Sequence, residues 1–194
     1  RAHADSAAPH DPAAYPPDVL IRDLAGLVAH LGITDYDLGG FSLGARTVLH
    51  AVAKGEVTPA RLIIGGMGVE GLRNWQRRAD HFIALIDRFE AITRDDPAFL
   101  AAQFMKSQKV DRVATRHLLG SFTDLPHELL PRVVMPTLVV CGAEDHDNGS
   151  GEELAGALPD AEFVEVPGGH MSSIAKREFG RAIAAWLGPA SALA

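Results

Sequence analysis

The chain has 194 residues, 47% of them apolar and 22% charged, with a formal net charge of −7. That length holds one substantial core and leaves two full domains cramped. The acidic balance, with no Lys/Arg block, argues against nucleic acid and against an anionic membrane as partners. No apolar run approaches the roughly 20 residues of a membrane span, and no charged stretch followed by an apolar one opens the chain as a signal peptide would. The lone cysteine, Cys141, has no partner for an internal disulfide, so a reducing cytoplasm is the expected compartment. The first residue is Arg1 and not Met, which suggests a processed chain or the later part of a longer one.

Residues 1–17 show no clear periodicity, and Pro9, Pro12, Pro16 and Pro17 mark them as loop. A helix is expected from Asp18, with Leu20, Leu24, Leu27, Val28 and Leu31 on one face and Gly32 closing it. A short strand over about 35–40 runs into Gly39-Gly40-Phe41-Ser42-Leu43-Gly44, and a second helix follows at once, ending near Gly55. Arg61-Leu62-Ile63-Ile64 reads as a buried strand ending in Gly65-Gly66. From about Val69 to Pro131 helical spacing takes over, in Trp75, Ala79, Phe82, Ile86 and Phe89, and Asp96-Pro97 offers a cap with proline at the first helical position. Strand signals return at Pro136–Gly142 and at Glu162–Val166. Between them Ser150 and Glu153 form a capping-box pattern, and a closing helix is expected from about Ser173 to Trp186.

Strands alternating with helices predict an α/β fold: a mostly parallel sheet with helices on both faces. Residues 1–68 and 132–194 form its core, and the helical segment 69–131 reads as an insertion above the sheet's C-terminal edge. Open α/β sheets place their ligands at that edge.

Gly40-Phe41-Ser42-Leu43-Gly44 fits Gly-x-Ser-x-Gly. In that motif a strand turning abruptly into a helix forces the serine into a strained conformation, and the flanking glycines permit close approach of strand and helix. A serine hydroxyl needs a general base within hydrogen-bond reach. Of nine histidines, His170 leaves the sheet at the same edge, through Pro167-Gly168-Gly169; His146, His3 and His50 are weaker candidates. The orienting carboxylate is expected after the preceding strand, where Glu144, Asp145 and Asp147 compete. Asp145 is preferred for its place after Gly142, the other two reading as solvated loop charges. No metal-ligand spacing and no P-loop lysine are present, so no cofactor and no metal are expected.

The order Ser, Asp, His, each on the loop after a strand, resembles the α/β-hydrolase superfamily. GGFSLGA looks like its nucleophile elbow, TLVVCGAED like its acid strand and VEVPGGHM like its histidine loop. Arg1-Ala2-His3-Ala4-Asp5-Ser6 resembles the Arg-Gly-His-Gly-x-Ser segment that such enzymes carry well before the elbow. The resemblance implies Ser42 as nucleophile, His170 as base and Asp145 as its partner, with the Leu43 N–H as one oxyanion-hole donor and the segment 69–131 as a helical cap. The sequence departs from the family at two places. Alanines replace the first motif's glycines, which is expected to alter that loop because alanine resists positive φ. The strands that usually come first, with the loop donating the second oxyanion N–H, are missing, and one such donor is worth roughly 100- to 1,000-fold in rate.

The implied activity is hydrolysis of an ester, lactone or related carbonyl bond in a small apolar acyl substrate, with Phe82, Phe89, Phe99, Phe104 and Met105 available to line an acyl pocket. Two alternatives stand beside it: a carbon–carbon bond hydrolase of the same fold, and a catalytically impaired, ligand-binding relative.

Overall fold

In a computed structural model describing residues 1–188, four strands lie side by side in sequence order, all parallel: β1 (Asp37–Phe41), β2 (Arg61–Gly65), β3 (Thr137–Gly142) and β4 (Ala161–Val166). The last six positions of the core segment expected to reach 194 lie outside the described residues. The register pairs Gly39 with Ile63, Ile63 with Leu138 and Val140 with Val164, which puts like-facing apolar side chains together across the sheet.

One face carries Leu138, Val140, Val164 and Val166 against Phe179, Ala182, Ile183 and Trp186 of the closing helix, α8 (Arg177–Leu187). The opposite face presents Val139, Cys141 and Phe163 to Gly151 at the start of α6 (Gly151–Gly156). It also carries Gly40, which meets α2 (Leu43–Ala53). Helices therefore cover both faces, as a parallel sheet requires. β3 is buried at every position, and Leu62, Ile64, Leu138, Val139 and Val140 are wholly inaccessible. Burial of this kind stabilises by about 1.5–3 kcal/mol per large aliphatic side chain.

Contacts divide the chain into two compact units, residues 24–73 with 125–194 and residues 1–23 with 74–124. The first holds the sheet. The second holds α3 (Trp75–Asp87), α4 (Phe99–Ser107) and α5 (Arg112–Gly120), together with the first turn of α1 (Val19–Leu31). Ala2, Tyr15, Val19, Ala114 and Leu118 form one apolar cluster there, and Trp75, Ala79 and Leu119 form another. Among the described residues no strand falls between β2 and β3, and no helix is long and apolar enough to cross a membrane.

Several local expectations change. The stripe predicted as the buried face of α1 is not its burial face: Val19 and Ile21 are buried, whereas Leu27 and Leu31 are 54% and 57% exposed. Asp96 does not cap α4 as its N-cap. Its carboxylate accepts the N–H of the N-cap residue itself, Ala98, at 2.8 Å from two residues upstream and pairs with Arg88. The closing helix is split, because extended backbone at Lys176 separates α7 (His170–Ser173) from α8. Ala2 and Ala4 hold φ of +59° and +46°, so the loop keeps its left-handed turns despite the missing glycines. The double ion pair of Arg1 with Asp23 and the Ala2 N–H bond to the Ala7 carbonyl fix it in place.

Candidate active site

Every strand of the sheet ends at one edge, and the backbone ladder continues past the strands into the loops beyond. Ser42 N–H donates to the Gly65 carbonyl at 2.8 Å, Gly66 N–H to Val140 at 2.9 Å, and Ala143 N–H to Val166 at 2.8 Å. These bonds hold the segments carrying Ser42, Asp145 and His170 as firmly as the strands themselves.

Ser42 sits between β1 and α2 with φ +52° and ψ −114°, a conformation that non-glycine residues rarely adopt and that only surrounding structure can enforce. The enforcement comes from Gly40. A Cβ there would lie 2.3 Å from the Gly44 carbonyl carbon, so the strand passes the helix start at a distance only glycine allows. Gly44 is different: a Cβ there would meet nothing within 4 Å, so the second glycine of the motif is not required for space. The turn leaves Leu43 as the first residue of α2, where a backbone N–H has no intrahelical acceptor and the helix dipole favours negative charge.

His170 opens α7 after Gly169, whose N–H donates to Ser172 Oγ at 2.9 Å. Its Nε2 lies 2.8 Å from Ser42 Oγ, and its Nδ1 lies 2.9 and 3.1 Å from Asp145 Oδ2 and Oδ1. A carboxylate only accepts, so Nδ1 must donate to it. The neutral ring then offers Nε2 as acceptor for the serine hydroxyl proton. The side chains of His170 and Asp145 are 12% and 3% exposed, which shields both hydrogen bonds from competing water. Three side chains separated by up to 128 residues thus form one unbroken relay.

The other candidates lie elsewhere. His3 is exposed with Nδ1 2.9 Å from the Arg1 carbonyl, His50 is buried within α2, and His146 is exposed beside Asp145. Glu144 is held by its backbone N–H on the Gly168 carbonyl while its side chain faces solvent. Phe82, Phe89, Phe99, Phe104 and Met105 belong to the helical unit; Phe82 and Phe104 are about half exposed and Phe89 carries the Arg112 guanidinium 4.3 Å from its ring centroid. Cys141 is buried on β3, donates to the Met67 carbonyl and has its thiol pushed up by burial, so it is no nucleophile. A cavity of about 450 Å³ behind Asp145, lined among others by Glu70, His146 and Glu165, includes neither Ser42 nor His170.

Three features escaped the sequence. Phe41 lies against the imidazole of His170, ring centroids 5.0 Å apart, and meets Phe179 edge-on. Gly66, at φ +60°, leaves room for that ring: a Cβ there would lie 2.7 Å from Phe41 and 3.2 Å from His170 Cε1. Asp147 comes within 4.8 Å of both Asp145 and His170, forming with them the one donor group among the described residues able to share an ion. An ion on Nδ1 would displace the proton donated to Asp145, so ion binding and the relay compete for the same lone pair.

Residues 1–182 match the model of the alpha/beta hydrolase family. The chain belongs to that family. No curated protein matches it. Among solved structures, this alpha/beta hydrolase is similar to a hydrolase from Pseudomonas aeruginosa PA01, at 24% identity and a TM-score of 0.70 over 97% of this chain and 77% of that one. It is also similar to a thermophilic esterase from Thermogutta terrifontis in a malate-bound form, at 27% identity and a TM-score of 0.67, covering 96% and 76%. An enol-lactonase from Burkholderia xenovorans LB400 follows at 24% and 0.66, covering 96% and 78%.

Proposed function

We propose that this alpha/beta hydrolase is a serine hydrolase that cleaves a carboxylic ester or lactone through an acyl-enzyme. The observation that carries the reading is the 2.8 Å contact between Ser42 Oγ and His170 Nε2, backed by Asp145 on Nδ1. As Oγ bonds to the substrate carbonyl carbon, its proton passes to Nε2. The tetrahedral oxyanion forms near the Leu43 N–H, and the imidazolium then gives its proton to the departing alkoxide. Water enters, loses a proton to Nε2 and attacks the acyl carbon, and Ser42 leaves reprotonated. Asp145 fixes the ring tautomer and stabilises the imidazolium without taking the proton. Met171 and Ile174, 63% and 45% exposed just after His170, offer apolar surface to an acyl chain.

A fluorophosphonate probe, read by mass spectrometry, tests the assignment: the adduct is expected on Ser42. Ser42→Ala is expected to lose both labelling and turnover of p-nitrophenyl acetate, by about a million-fold in kcat, while its circular dichroism stays unchanged. An adduct on another residue, or turnover that survives the substitution, would end this reading.

A further inference from the structure

The residue just before Ser42 carries a ring that takes no part in the hydrogen-bonded relay. Phe41 ends β1 and pairs in register with Gly65. Side chains alternate along a strand, so Phe41 faces away from α2, which Gly40 meets, and packs on the side covered by α8. Three neighbours confine its ring. Phe179 meets it edge-on, with centroids 5.7 Å apart and 70° between the planes. A Cβ at Gly65 would lie 3.0 Å from its Cδ2, and one at Gly66 would lie 2.7 Å from its Cε2 and Cζ, so backbone passes close beside it. Held in this way, the ring lies against the imidazole of His170, with 5.0 Å between centroids and 35° between the planes.

Building on the hydrolase reading above, we propose that Phe41 is a positioning residue for His170 that acts chiefly once Ser42 has been acylated. In the free enzyme the imidazole is tied at both nitrogens, Nε2 accepting from the Ser42 hydroxyl and Nδ1 donating to Asp145. Acylation turns Ser42 Oγ into an ester oxygen with no proton to give, and the tie at Nε2 is lost. A ring bonded at one end alone can swing about that end. Deacylation nevertheless needs Nε2 in place, to take a proton from water as the water oxygen bonds to the acyl carbon. At that stage the Phe41 ring is the wall that limits the swing on its side. A misplacement of about 1 Å costs on the order of a hundredfold in rate, so the wall matters most where the second tie is missing. Leucine fills part of the space but presents no flat, rigid face.

Single-turnover kinetics with p-nitrophenyl acetate, enzyme in excess, separate the two steps. Release of p-nitrophenol reads acylation, and intact mass of quenched samples reads the decay of acetyl-Ser42. Phe41→Leu is expected to slow deacylation about tenfold and acylation no more than about twofold, so acetyl-Ser42 outlives that of the parent. A merely structural loss lowers the amount of active enzyme and leaves the first-order decay of the acetyl-enzyme unchanged. If Phe41→Leu does not fold, Phe41→Met takes its place. Deacylation slowed no more than acylation overturns the inference. Ser42→Ala is measured alongside: where it has lost turnover, that outcome leaves the hydrolase reading intact, whereas a parent with neither acetyl-Ser42 nor turnover removes both.

Discussion

The sheet unit and the helical unit are held together by different means. In the sheet unit the decisive contacts are apolar and backbone-to-backbone: Leu62, Ile64, Leu138, Val139 and Val140 are sealed from water, and Gly40 brings a strand against a helix start. In the helical unit carboxylates hold the backbone. Asp124 accepts the Asn74 and Trp75 N–H groups at 3.0 and 2.8 Å and so caps α3 from fifty residues away, Asp111 caps α5 through the Ala114 N–H, and Asp23 grips Arg1. The three carboxyls held below the usual range, Asp23 by the Arg1 hydrogen bond, Asp96 by that of Arg88 and Asp111 chiefly by the Ala114 N–H, all belong to this unit. The difference teaches that the sheet carrying the site is fixed by apolar packing and backbone bonds, while the helix starts of the other unit are fixed by carboxylates.

Substitutions at the heart of each unit should expose that contrast. Gly40→Ala is expected to have the largest effect, costing about 4 kcal/mol or more because backbone faces the new methyl at 2.3 Å. Denaturant melts check it, and a loss below 1 kcal/mol would show that the elbow can relax. In the helical unit, Asp124→Ala should cost about 2 kcal/mol by leaving two N–H groups of a helix start without their acceptor, and Asp124→Asn less. Ala4→Gly, at an exposed left-handed position, should stabilise by about 1 kcal/mol, and Gly44→Ala by about 0.5 kcal/mol. Thermal melts that show Gly44→Ala as costly as Gly40→Ala would erase the distinction between the two motif glycines.

The smallest effect is a pH dependence. A carboxyl whose folded pKa is depressed contributes stability that is present above its unfolded pKa, near 4, and is lost as pH falls toward the folded value. Asp23, Asp96 and Asp111 all have this sign, so acid below about pH 4 should loosen the helical unit first. The two tryptophans report the units separately, Trp75 in one and Trp186 in the other. Fluorescence of Trp186→Phe should therefore change at higher pH than that of Trp75→Phe, and coincident acid transitions would count against the ordering.

What could be read from the sequence follows the same division. The four strands and the sharp turn at Ser42 were legible, because compact apolar runs and glycine spacing are local signals, and the strand-end loops bring Ser42, His170 and Asp145 within hydrogen-bond distance. The capping pair Ser150 and Glu153 was legible too, its hydroxyl accepting the Glu153 N–H at 3.1 Å. Asp124 capping α3 and Arg1 pairing with Asp23 were not, since each joins residues with no periodic relation in sequence. Asp147 looked like one more solvated charge until the loop turned it back toward Asp145. The apolar stripe of α1 misled because periodicity shows that a face is greasy without showing what covers it.

Gly66 makes the packing of Phe41 against His170 answerable to a residue outside the Ser42–His170–Asp145 hydrogen bonds. With a Cβ position 2.7 Å from Phe41 and 3.2 Å from His170, any side chain at 66 must push either the aromatic ring or the imidazole. Volume at positions 41 and 66 is thus a shared allotment. A combinatorial library randomised at both should return active members in inversely matched sizes, with alanine or serine at 66 surviving only beside something slimmer than phenylalanine at 41.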